Sequence, residues 1–181
     1  MKKRTLIILV ALVAVFGMAV GGTIAWLTDQ TEPITNTFTV GNINIELKET
    51  ATEFKMVPGV TIVKDPKITV KSGSEACYLF VKVEKSANLD VFISYAMATG
   101  WTALTDADGV YYRVVDATTS DTTFSVLADD QVTCKDTVTK VMMDALTEET
   151  TYPTLTFTAY AVQQSGSASA AVAWAKVTAT P

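Results

Sequence analysis

Apolar and polar residues alternate from 37 to 48: Phe38 and Val40 precede Gly41, and Ile43, Ile45 and Leu47 follow it. Such alternation marks a strand with one buried face, and the change of parity across Gly41 is what a β-bulge produces. Residues 61–71 read as a second strand containing Pro66, which donates no ladder hydrogen bond and so marks an edge or a break. Residues 76–85 give the strongest strand. Cys77, Leu79, Val81 and Val83 share one face; Tyr78, Phe80, Lys82 and Glu84 share the other, apolar at one end and wet at the other. Residues 89–98 fit a strand better than a helix. Residues 101–104 and 110–115 flank Thr105-Asp106-Ala107-Asp108-Gly109 as a hairpin, with Gly109 supplying the positive φ of a tight turn. Two short strands, 123–127 and 131–134, surround Asp129-Asp130, and 154–163 is the last clear strand. Val138, Val141, Met142, Ala145 and Leu146 recur at helical spacing and predict a short helix over 138–146. Ser169 is placed to cap another short helix running to Lys176. Eight or nine short strands with few helices predict a mainly β, antiparallel sandwich in one domain, residues 37–181.

The chain ahead of that domain has a different character. Lys2, Lys3 and Arg4 precede a run, Leu6 to Val20, with no charge or strongly polar group. The apolar run enters the bilayer while the cations stay on the cytoplasmic face. Gly21 and Gly22 break the helix, and Thr23 and Ala25 place small residues at −3 and −1 of a signal-peptidase cut. The expectation is a signal-peptide helix in residues 1–25, released between Ala25 and Trp26. An uncleaved anchor is the alternative, since the stretch from Leu6 to Ala25 is about long enough to span a membrane. Residues 26–36, polar with one proline, read as an extended arm. Its two readings are a frayed end and a segment that pairs with a neighbour's open sheet edge. No cell-wall sorting motif follows Trp174, so no tether is expected beyond the signal stretch.

Composition narrows the partners. The chain has 14 Lys and Arg against 19 Asp and Glu. Removing Lys2, Lys3 and Arg4 leaves 11 against 19, a net charge of −8 that disfavours nucleic acid and anionic lipid. Membrane contact is expected only through the signal stretch. Threonine supplies 29 of the 181 residues, which suits sheets with one wet face. Histidine is absent, and with it His-ligated zinc and Ser-His-Asp or Cys-His catalysis. The two cysteines, Cys77 and Cys134, allow one disulfide or two separate buried thiols.

Two segments carry a resemblance. The first runs Gly22-Thr23-Ile24-Ala25-Trp26-Leu27-Thr28-Asp29, then Asn36-Thr37-Phe38-Thr39-Val40-Gly41-Asn42-Ile43-Asn44-Ile45-Glu46-Leu47. The second is Leu155-Thr156-Phe157-Thr158-Ala159-Tyr160-Ala161-Val162-Gln163 with Ala173-Trp174. Together they resemble the TasA/camelysin family of Gram-positive bacteria. The resemblance implies export through a SipW-type signal peptidase and a secreted, jelly-roll-like β-sandwich. It also implies a biofilm-matrix fibre subunit whose N-terminal strand completes the sheet of the next copy or of a related matrix protein. On that reading Trp26, Leu27, Thr28, Asp29, Ile34 and Phe38 form the assembly arm.

Other chemistry is thin. Asp106-Ala107-Asp108-Gly109 opens like a calcium loop but lacks a distal bidentate Glu, so a plain turn is expected. The metallopeptidase label of the camelysin branch needs an activated water, and an all-carboxylate zinc site is unusual. Asp129-Asp130 and Glu148-Glu149 read as solvated loop charges. Cys77 sits in an apolar strand without a histidine partner, which argues against a thiolate nucleophile. Trp101, Tyr111 and Tyr112 are read as packing rather than as a binding platform. No cofactor, catalytic residue or metal ligand is expected. The leading expectation is a structural subunit and not an enzyme; the alternative is a monomeric secreted or cell-surface binding module.

Overall fold

The computed structural model describes residues 41–179. The signal stretch, its cleavage site at Thr23, Ala25 and Trp26, and the arm through Phe38 lie outside the described residues.

Ten strands build the domain: β1 Ile45–Lys48, β2 Thr61–Val63, β3 Lys67–Val70, β4 Cys77–Lys85, β5 Ile93–Ser94, β6 Thr102–Ala103, β7 Val110–Val115, β8 Thr122–Ser125, β9 Gln131–Cys134 and β10 Leu155–Gln163. Three short helices accompany them: α1 Leu89–Phe92, α2 Lys140–Asp144 and α3 Ala170–Thr178. One sheet runs β10-β4-β7-β6, every pair antiparallel. The facing layer holds two three-stranded sheets, β1-β3-β8 and β2-β9-β5, that meet at a bend. Two hydrogen bonds carry the ladder across the bend, Val126 N–H to the Pro66 carbonyl and Lys64 N–H to the Asp130 carbonyl, both 2.9 Å. Pro66, fully buried, therefore marks the break between β2 and β3, and its carbonyl accepts the Val126 N–H. Asp129 and Asp130 turn the opposite strand through left-handed backbone, at φ 54° and 55°. The chain passes repeatedly from layer to layer, giving the jelly-roll-like antiparallel sandwich expected from the sequence.

The two faces of β4 explain the layers. Cys77, Leu79, Val81 and Val83 point into the sandwich against Ile68, Val70 and Val126. Tyr78 and Phe80 point the other way, and their end of that face is covered by α3 through Ala170, Ala173 and Trp174. The Phe80 and Trp174 ring centroids are 5.2 Å apart, and Tyr160 meets Trp174 edge-on at 5.3 Å. Lys82 and Glu84, further along the face, pair with each other in water. The Ser169 hydroxyl caps α3 by accepting from Val172 N–H. Ser169→Ala is expected to lower stability by about 1 kcal/mol, read as a shifted urea midpoint with unchanged slope.

Gly109 closes the β6–β7 hairpin at φ 69°, and a Cβ there would lie 2.5 Å from the Val83 carbonyl oxygen. Other segments differ from the pattern reading. Residues 89–98 begin with a helical turn, not a strand, because Leu89 and Phe92 at i, i+3 both drop into the second core cluster. Only then does β5 form, continued by the Met97–Leu127 bridge. The 138–146 helix shortens to 140–144. Val141 faces solvent, 78% exposed, while Met142, Met143 and Leu146 pack inward. Of the strand expected over 37–48, the described part forms β1, with Ile43, Ile45 and Leu47 on the core.

Candidate functional site: an open groove between two strand edges

The second core cluster is not sealed. A groove of about 1400 Å³ opens onto it, with Met56, Ile62, Met143, Leu146, Leu155 and Phe157 on its walls. The register explains why it is open. β1 pairs only with β3, leaving the β2 edge without a described strand beside it. β10 pairs only with β4, so its other edge is also free among the described strands. The first three residues of β10, Leu155 to Phe157, and Ile62 of β2 all line the groove. A slot walled by apolar and charged side chains and flanked by two edges that no described strand pairs has room for an added extended segment, whose backbone would find donors and acceptors there while its alternate side chains find pockets.

Lys48, Lys55 and Lys64 line the groove together with Glu49, Glu53 and Glu149, and of the three lysines Lys64 is the buried one. Lys64 is 8% exposed, and its Nζ is 2.6 Å from Glu49 Oε1. The ammonium also lies 4.9 Å from the Phe54 ring centroid and 5.4 Å from that of Phe157. The pair spans the turn from β1 towards β2 and ties the loop carrying Phe54 to the groove. Sequence pattern alone did not single out Lys64 or Glu49, since 15 residues separate them and only the fold brings them together.

The remaining candidates have structural roles. The Cys77–Cys134 bridge that the even count allows is not made: both thiols are free and buried, Cys77 in the cluster under β3 and Cys134 in the cluster under α1. Burial pushes both thiol pKa values up. Both are expected to resist iodoacetamide in the native protein and to react fully after unfolding, as intact mass would show. Asp106 and Asp108 belong to a turn held by Leu104 N–H to the Val110 carbonyl at 2.8 Å. Asp130 pairs with Lys67 at 3.1 Å, and Glu148 caps the turn Glu149–Thr151. Tyr112 packs with Tyr78 and Phe80, and Trp101 donates its indole N–H to the Ser125 carbonyl. Among the described residues, no group of three or more Cys, Asp or Glu side chains is arranged to hold a metal ion.

Fold and groove together define an antiparallel β-sandwich with a groove beside two edges that no described strand pairs. Comparison with protein-family models, curated proteins and solved structures finds no match for the chain.

Proposed function

We propose that this chain is an exported structural subunit that assembles into extracellular fibres. The N-terminal arm, residues 26–36 and the strand residues after it, seats in the groove of a neighbouring copy. The observation that carries this reading is the groove itself, open to solvent and bordered by edges of β2 and β10 that no described strand pairs. The arm suits it. Trp26, Leu27, Ile34 and Phe38 supply apolar side chains, and Asp29 and Glu32 are its only charges. From residue 26 to residue 40 an extended chain spans about 50 Å, more than the roughly 30 Å of a nine-residue strand such as β10. The resemblance to the TasA/camelysin family supports the same reading, with a SipW-type peptidase releasing the arm. Deleting residues 26–36 is expected to leave a folded monomer, with unchanged circular dichroism, that no longer forms filaments. Filaments from the truncated chain would overturn the role given to the arm.

A further inference from the structure

The sandwich holds a second charge in an unusual place. Arg113 lies opposite Leu79 in the β4–β7 register. Directly opposed residues share a face of the sheet, and Leu79 faces the core, so Arg113 points between the layers. Its guanidinium carbon sits 3.9 Å from the Phe124 ring centroid and 5.2 Å from that of Trp101. Phe124 is fixed inward by β8, opposite Ile68, and Trp101 by its bond to Ser125. Gly100, at φ 92°, completes the seat: a Cβ there would lie 2.6 Å from Arg113 Nη2.

Aromatic faces attract the charge but do not replace an oxyanion as hydrogen-bond acceptor. No carboxylate or carbonyl among the described residues accepts from this guanidinium. Its nitrogens are not sealed from water either, since among the described residues the only buried side-chain polar atom without a partner is Asp130 Oδ1. The desolvation that lowers the Arg113 pKa adds a reason for the charge to gain from a counter-ion. Here, then, is a half-buried, pre-positioned planar fork whose donors no described residue uses. None of its surrounding residues lines the groove.

We propose that Arg113, seated against Trp101, Phe124 and Gly100, anchors a binding site for a carboxylate ligand. A carboxylate matches the fork with two oxygens and balances its single charge. A phosphate dianion would leave excess negative charge on a chain already at net −5. The site shares none of its residues with the groove, so it stands or falls separately from the fibre reading.

The test is a titration of the full chain with glucuronate, followed through the Arg113 side-chain Nε–Hε resonance. Arg4 and Arg113 are the only arginines, so R113K assigns the signal by its loss. The expected result is a saturable shift with half-saturation at about 1–10 mM. The neutral amide of glucuronate should produce none, and phosphate a weaker one. N-acetylalanine, a monocarboxylate like glucuronate, as a parallel probe distinguishes a general carboxylate site, where both probes saturate, from an acidic-sugar site, where only glucuronate does; either supports the assignment. Calorimetry on R113K should show affinity reduced at least about tenfold, because lysine keeps the charge and loses the fork. A shift that grows linearly without saturation, or one that the neutral amide reproduces, would overturn the site. In the chain beginning at Trp26 Arg113 is the sole arginine, which assigns the signal there, so both outcomes are readable even if R113K does not fold.

Discussion

Phe80→Ala is expected to lower the stability of the domain by about 3–5 kcal/mol, the largest effect of any single side-chain truncation considered for this sandwich. Phe80 is fully buried at the centre of β4. Its ring joins Tyr78 and Tyr112 on the sheet to Trp174 on α3, with centroids at 6.4, 6.4 and 5.2 Å. Removing it forfeits the transfer free energy of the ring and leaves a cavity that α3 fills only by shifting. Single domains are commonly stable by only about 5–15 kcal/mol, so a large share of the total disappears. Urea unfolding followed by tryptophan fluorescence reads the loss. An effect below about 1 kcal/mol would mean that α3 does not seat on this face.

The second large effect concerns Lys64. Lys64→Ala leaves the Glu49 carboxylate in an apolar wall without its cation. Breaking a fully buried pair costs about 3–5 kcal/mol; this one borders an open groove where water reaches, so about 2–3 kcal/mol is expected. The double change Lys64→Met with Glu49→Gln removes both charges while keeping volume, and is expected to recover most of that loss. A double-mutant cycle in urea gives the coupling. If Lys64→Ala is neutral, the pair contributes nothing and the Phe54 loop is held by other contacts. The double variant also tests the groove, because it preserves the slot's shape and should still form filaments.

Much of this architecture was legible from local pattern. The split faces of β4, the hairpin closed by Gly109 and the Ser169 cap follow from alternation, turn chemistry and side-chain capping, all set within a few residues. The departures have one common cause, which is pairing at long range. Leu89 and Phe92 form a helical turn because the second core cluster lies beneath them, and residues 89–98 taken alone do not reveal it. Val141 falls at helical spacing with its neighbours yet faces water, because α2 presents Met142 and Met143 to the core. Pro66 was readable as an interruption, but its buried position needed the β8–β9 partner strand. Cys77 and Cys134 could be counted but not placed. The groove was the least legible feature of all. It exists because β1 pairs with β3 and not with β2, a choice of register that no single segment records. Arg113 was equally hidden, since its inward direction depends on facing Leu79 across the sheet.

The central claim is that the arm of one copy fills the groove of the next. Light scattering of the chain beginning at Trp26, at rising concentration and with the filaments identified by electron microscopy, tests it most directly when a synthetic peptide of residues 26–36 is added in excess. That chain carries net −8, so mild acidification, which neutralises carboxylates and lowers repulsion, should speed growth. The expected result is scattering that rises with concentration and is suppressed by the peptide, which fills the open groove of monomers and of the one filament end that exposes it. A monomer at every concentration and pH, or filaments that grow equally well with the peptide present, would contradict it.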